Sequence, residues 1–228
     1  MFSSPFRTAL VLGSTLVCLL VAGKPSLYAQ NRSLKQCSET IRTARQAATD
    51  RNQPHQFPSL TLFSPASQKL EQSYLEWSDC VKGQKAPVSA FKTMTGESYD
   101  TAALAGKVVV INFWFMSCAP CRAEMPALNK LVDEYRGKDV LFFGFTPDKT
   151  DRLKPEFFEK TPFNFNIVAD AQRLADSFAI TGYPTTYVVD GQGIIQQAWI
   201  GVDSRFGPLD PYYKAKAAID NLLGATGK

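Results

Sequence analysis

Val108-Val109-Val110-Ile111-Asn112-Phe113-Trp114-Phe115-Met116-Ser117-Cys118-Ala119-Pro120-Cys121-Arg122 runs from an apolar β-branched and aromatic segment straight into a pair of cysteines two residues apart. An apolar run of this length without alternation reads as a strand buried on both faces, at the centre of a sheet. Pro120 lacks a backbone donor and suits the first turn of a helix, where that donor has no partner. Cys118 is thereby placed where a strand hands over to a helix N-terminus, whose free N–H groups and dipole favour a thiolate. Two cysteines at this spacing can cycle between dithiol and disulfide, which is redox chemistry. The alternatives are a zinc half-site and a purely structural bridge. Zinc needs further ligands, usually a second close pair, whereas Cys18, Cys37 and Cys80 stand apart and His55 is the single histidine.

Working outward, the chain of 228 residues, 45% hydrophobic, is long enough for one full core and an appendage. The formal charge of +4 includes Arg7 and Lys24 near the N-terminus; without them 23 basic residues face 21 acidic ones. With no dense basic patch, nucleic acid is excluded as a partner. Residues 1 to 29 read as an export signal. Arg7 gives the positive start, Ala9 to Ala22 the apolar stretch, and Ser26-Leu27-Tyr28-Ala29 a cleavage site. The alternative is an uncleaved anchor, but an apolar stretch broken by Gly13, Ser14 and Thr15 falls short of the ~20 residues that span a bilayer. Val17 before Cys18 argues against a lipidated cysteine. The reading is therefore a periplasmic or otherwise extracytoplasmic protein, with a membrane tether left open.

A second segment joins the first. Thr181-Gly182-Tyr183-Pro184-Thr185-Thr186-Tyr187-Val188-Val189-Asp190 follows the Asn112-Phe113-Trp114 to Cys118-Ala119-Pro120-Cys121-Arg122-Ala123-Glu124-Met125-Pro126 stretch in the same order as in the TlpA/ResA family. The two segments resemble that family's active site and cis-proline loop. The likeness covers about Gly83 to Gly224 and leaves residues 31 to 82 unexplained. It implies an α/β thioredoxin-like fold, a central mixed sheet flanked by helices, preceded by a helical N-terminal extension. The corresponding division is 1–29 signal peptide, 30–82 extension and 83–228 thioredoxin-like domain.

The same resemblance implies an extracytoplasmic thiol–disulfide oxidoreductase that serves cell redox homeostasis without metal or cofactor. Cys118, exposed at the helix start, attacks a client disulfide, and Cys121 resolves the mixed disulfide. Trp114, Tyr183 and a cis Pro184 form the substrate-binding surface. Asn112 stands where thioredoxins carry a buried aspartate and cannot take a proton. Glu124 matches a glutamate of the ResA group and is the candidate acid/base; the alternative is a surface helix carboxylate. Arg122 either adds positive field or is a solvated charge. Ser117 replaces a tryptophan common in the family. The implied partners are client proteins with disulfides or thiols and a membrane thiol-electron carrier as reductant, the protein itself being a monomer. Rival readings are a cytochrome c maturation reductant, a peroxiredoxin-type antioxidant and a non-catalytic binding module. Thr185 after the proline argues against the first and the CxxC against the second.

Export leaves Cys37, Cys80, Cys118 and Cys121, which allow three pairings. With Cys118 and Cys121 at the active site, Cys37 and Cys80 pair, either as a structural bridge or as a second redox pair. Leu34, Cys37, Ile41, Ala44 and Ala48 recur at helical spacing, as do Leu70, Tyr74, Trp77 and Val81. The bridge would then close a helical hairpin whose Pro54–Pro65 turn carries a solvated His55. Beyond Gly83, the pattern predicts a β-hairpin from Phe91 to Ser98, helices over Ala123–Tyr135, Leu153–Lys160, Ala171–Phe178 and Pro211–Leu223, and strands over Val140–Phe145, Phe165–Val168, Thr185–Val189 and Ile194–Ile200.

Overall fold

The computed structural model describes residues 32–49, 65–201, 203 and 206–226; the N-terminal leader, His55 and most of the Pro54–Pro65 turn lie outside the described residues. Two helices come first, α1 (Leu34–Thr49) and α2 (Pro65–Val81). Ser33 and Gln36 start α1 with a reciprocal cap: the Ser33 N–H donates to Gln36 Oε1 at 2.7 Å and the Gln36 N–H to Ser33 Oγ at 3.3 Å. A short antiparallel hairpin, β1 (Phe91–Lys92) and β2 (Ser98–Tyr99), and the single-turn α3 (Thr101–Leu104) lead to the sheet. Its elements are β3 (Val108–Phe113), α4 (Ala119–Glu134), β4 (Val140–Phe145), α5 (Pro155–Lys160), β5 (Asn166–Val168), α6 (Gln172–Ser177), β6 (Thr185–Val189), β7 (Ile195–Ile200) and α7 (Asp210–Thr226).

The strand order is β5-β4-β3-β6-β7, with β3 parallel to β4 and antiparallel to β6. All six residues of β3 are buried, and alternation sends them to two different cores. Val109, Ile111 and Phe113 join one cluster with Phe143, Phe145 and Tyr187. Val108 and Val110 join the other, with Met125, Leu128, Leu131, Ala215 and Ile219 from α4 and α7. This mixed sheet between helical layers is the expected thioredoxin-like architecture.

The N-terminal extension is less separate than an appendage. Leu34, Cys37 and Ile41 of α1 and Trp77, Cys80 and Val81 of α2 are buried in the same cluster as Val109, Ile111 and Tyr187. Trp77 meets Tyr187 edge-on, centroids 5.7 Å apart, and Ser78 Oγ donates to the Ala198 carbonyl at 2.6 Å. A helical hairpin too small for its own core gains one by covering a sheet face. Cys37 and Cys80 form a disulfide across it, and Gln84 Nε2 donates to the Cys80 carbonyl at 2.7 Å.

Several boundaries differ from the sequence expectation, three of them with a clear local cause. α4 starts at Ala119 instead of Ala123, because Cys118 is its N-cap and the CxxC forms its first turn. The helix expected over Leu153–Lys160 starts only at Pro155 as α5, and a separate 3₁₀ turn, Thr150–Arg152, precedes it. Pro155 occupies the first turn of α5, the position where its missing donor costs nothing. β5 starts at Asn166, since Phe163 and Phe165 stack at 4.6 Å to fill the core below it. Gly144 in β4 is required by packing: a Cβ there would lie 2.7 Å from the Phe163 ring and 3.0 Å from Trp114 Nε1.

The Cys37–Cys80 bridge closes a sequence separation of 43. Replacing both cysteines by alanine is expected to cost about 2–4 kcal/mol of unfolding free energy, mostly through the unfolded chain. Urea titration of the oxidised wild type and the double variant measures this. An unchanged midpoint would mean that docking on the sheet alone holds the hairpin.

Candidate active site

At the C-terminal end of β3 the chain leaves the sheet with Trp114, whose N–H still donates to the Phe145 carbonyl at 3.0 Å. The next three residues make a tight loop. The Met116 N–H donates to Asp148 Oδ2 at 2.6 Å and the Cys118 N–H to the Phe115 carbonyl at 3.0 Å. Thr146 Oγ1 donates to the same Asp148 oxygen at 2.9 Å. Cys118 then caps α4, its Sγ accepting from the Cys121 N–H at 3.2 Å. Cys118 and Cys121 are joined as a disulfide with Cα atoms 5.3 Å apart. All four cysteines among the described residues are thus paired.

Cys118 is not exposed in this oxidised form; it retains 4% of its surface and Cys121 1%. The disulfide turns the Cys118 sulfur back into the helix start, where Phe115, Met116 and Tyr183 pack against the cluster that holds both cysteines. The accessible rim consists of Ser117, Ala119, Pro120 and Arg122, all exposed.

One turn beyond Cys121, Glu124 projects into the protein and not into solvent, with 1% of its surface left. The surface-carboxylate alternative is thereby removed. Asn112 Nδ2, from the middle of β3, donates to Glu124 Oε1 at 2.7 Å and is also 3.0 Å from Thr186 Oγ1 of β6. Glu124 Oε2 is buried without a partner among the described residues. Burial is the main force on this carboxyl and raises its pKa from the ordinary 4.5 to about 8. The Asn112 hydrogen bond and the Lys214 charge pull it down, and the Asp210 carboxylate pushes it up. Asp210 is itself buried and paired with Lys214 at 2.7 Å. The strand supplies a neutral amide and the helix supplies the proton site.

The Tyr183–Pro184 peptide bond is cis. Pro184 is buried at the start of β6, and Tyr183 is half-buried with its ring edge-on to Phe115 at 5.2 Å. The loop therefore stands beside the CxxC turn. Trp114, expected on the substrate surface, is instead fully buried. It stacks on Phe157 at 5.8 Å and meets Phe163 edge-on at 5.7 Å, because the chain is still in β-register as it leaves the sheet and directs the indole under α5. Asp148 was beyond the sequence reading. Its signal is the Thr146-Pro147-Asp148 turn at the C-terminal end of a buried parallel strand, where such sheets carry their functional loops.

A mixed five-stranded sheet, a redox disulfide in the first turn of a helix and a cis-proline loop beside it define a thioredoxin-fold disulfide oxidoreductase. The chain belongs to the AhpC/TSA family, whose model matches residues 82–198. It is 37% identical over 122 residues to the thioredoxin-like protein YneN of Bacillus subtilis, covering 53% of this chain and 72% of that protein. It is 29% identical over 133 residues to the thiol-disulfide oxidoreductase ResA of Bacillus thuringiensis, covering 58% and 76% respectively. A Chlorobium tepidum structure described as a thiol:disulfide interchange protein DsbE superposes with TM-score 0.53 at 25% identity, over 60% of this chain and 97% of its own. These matches carry the TlpA/ResA-like resemblance and a thiol–disulfide redox activity acting on thiol-containing proteins.

A carboxyl raised to about 8 makes stability depend on pH with a definite sign. The folded protein holds the proton more tightly than the unfolded chain, so no cost is felt below about pH 4.5. The cost grows by about 1.4 kcal/mol per pH above that and levels off above about pH 8. Glu124→Gln keeps the acceptor for Asn112 and removes the titration. It is expected to be more stable than wild type by about 3 kcal/mol at pH 7, and by almost nothing at pH 4.5. Urea midpoints of both proteins between pH 5 and 8 test this; a constant difference would mean that Glu124 titrates as an ordinary carboxylate.

Proposed function

We propose that this protein is an exported reductant of protein disulfides, with Cys118 as nucleophile, Cys121 as resolving thiol and Glu124 as the proton carrier between them. The observation that carries the reading is the placement of a buried, proton-holding carboxyl one helical turn from Cys121, beside a CxxC disulfide and a cis-proline loop.

In the reduced enzyme the Cys118 thiolate attacks one sulfur of a client disulfide. A mixed disulfide forms and the first client thiolate leaves. Cys121 then loses its proton and attacks the Cys118 sulfur, which releases the second client thiolate and restores the enzyme disulfide. Two electrons pass to the client. A carboxyl with its pKa raised to about 8 holds a proton near neutral pH and can still release it, which suits it to exchange with a thiol. Asn112 holds the carboxyl in place whether or not it is charged. The spent enzyme has to be reduced by another dithiol, for which a membrane thiol carrier fits an exported protein. The Tyr183 backbone N–H and carbonyl have no partner among the described residues, which leaves them to pair with an extended client segment.

Export is supported by the leader pattern of residues 1–29 and by a second, non-catalytic bridge at Cys37–Cys80, both typical of oxidising compartments. Among the described residues, no helix is long and apolar enough to cross a membrane. The protein acts as a monomer made of the extension (30–82) and the thioredoxin-like domain (83–228).

Equilibration of Cys118–Cys121 with dithiothreitol or glutathione buffers decides the direction of electron flow. A reduction potential of about −270 mV or lower is expected of a reductant, whereas one near −120 mV would make the protein an oxidant of thiols. Cys118→Ser should abolish insulin reduction, and Cys121→Ser should accumulate a mixed disulfide with the client that mass spectrometry detects. Retained activity in Cys118→Ser would overturn the mechanism.

A further inference from the structure

The loop before the cis-proline is held partly from outside itself. The Ala179 carbonyl accepts from Ser38 Oγ at 2.9 Å, and the Thr181 carbonyl accepts from Arg45 Nη1. The Gly182 carbonyl accepts from Thr185 Oγ1 at 2.7 Å, and the Pro184 carbonyl from the Gly201 N–H at 2.9 Å. Two of these four anchors belong to α1, far away in sequence. Ala179, at φ 52, is the left-handed end of α6, where the Ile180 N–H donates to the Ala175 carbonyl and the Ala179 N–H to the Asp176 carbonyl, both at 3.0 Å; the local cap ends there, and Thr181 beyond it is held by α1.

Arg45 makes the closest approach. Its Nη2 lies 3.1 Å from the Tyr74 hydroxyl of α2, and its guanidinium lies over the Tyr74 ring at 5.8 Å. It also lies flat against Gly182, where an added Cβ would run into Nη2 and lie 3.2 Å from Cζ. Gly182 is thus a close-contact glycine, with the arginine filling the space a side chain would take.

We propose that Arg45 is a positioning residue for polypeptide clients: from the N-terminal helical hairpin it fixes the Thr181–Tyr183 backbone on which an extended client pairs. The inference rests on the reductase reading above and gives the extension a role in that reaction. Arg45 touches neither sulfur nor carboxyl in the active site. Its removal therefore weakens recognition of a polypeptide and leaves the sulfur chemistry alone.

The test uses the full chain, pre-reduced and reacted in single turnover with insulin or with hydroxyethyl disulfide, a disulfide too small to pair with the loop. Arg45→Ala should raise the half-saturating insulin concentration roughly ten-fold, the low end of what a charged hydrogen bond is worth. The limiting rate, the hydroxyethyl disulfide rate and the reduction potential should stay unchanged. Arg45→Lys should recover part of the loss, since an ammonium reaches one acceptor but lacks the planar fork. Gly182→Ala displaces the guanidinium with α1 intact and should reproduce the defect. Combined with Arg45→Ala, it should add little. Unchanged insulin saturation in both single variants overturns the proposal. So does an equal loss on both disulfides, or full additivity of the pair. A wild type that reduces neither disulfide overturns the reductase reading itself, a result distinct from a wild type that reduces both while Arg45→Ala matches it.

Discussion

β3 has no face that tolerates water, and most of the architecture answers that constraint. Its odd and even residues enter separate cores, so two layers have to be built. α4 and α7 supply one, packed along the strand that leads into the catalytic turn. The other is completed by α1 and α2, the part of the chain that resembles nothing in the recognised motifs. A strand buried on both sides therefore turns an N-terminal extension into a structural layer, and the ends of that layer fall beside the cis-proline loop. The same alternation sends Asn112 toward α4 and Glu124, while Phe113 points the opposite way.

Glu124 shows how one site holds opposing requirements. In the proposed proton-carrying role its carboxyl is useful because it is buried, since burial raises its proton affinity well above that of an ordinary carboxylate. The same burial costs stability at neutral pH. The protein limits the cost with one neutral donor, Asn112, instead of a cation that would restore an ordinary carboxylate. Asp210 sits near enough to reinforce the effect, and Lys214 offsets part of it. Local instability and proton transfer thus share a cause, which is expected where a fold concentrates its function.

Much of this was legible in the chain. The apolar runs gave β4 and β6 at their observed limits and β3 from its first residue, since runs of this kind are bounded by turn residues; β3 ends at Phe113, before the apolar run itself does. The burial of Glu124 was also within reach: Cys121, Glu124, Met125, Leu128 and Leu131 form a single helical stripe, and a carboxylate in such a stripe points inward. Trp114 misled because it adjoins the motif in sequence, while backbone register directs it into the core. Cys118 misled because helix starts are usually exposed, and closure of the disulfide turns its sulfur inward. The contact of Arg45 with Thr181 joins residues 136 apart; no local pattern encodes it, since it follows from which sheet face the hairpin covers.

The Cys37–Cys80 bridge has a meaning of its own in a protein built for thiol–disulfide exchange. Every molecule shares solution with identical copies whose CxxC pair can exchange with disulfides, and each copy carries a second disulfide of its own. Thiol–disulfide exchange requires the attacking sulfur to reach its target, and Cys37 and Cys80 keep only 1% and 7% of their surface. The catalytic pair keeps as little, 4% and 1%, so residual surface alone does not separate the two bonds. Setting does: Cys118–Cys121 closes the first turn of a helix behind an exposed rim, whereas Cys37–Cys80 joins two helices packed on the sheet, and tool and fastening differ in how much structure must move to uncover them.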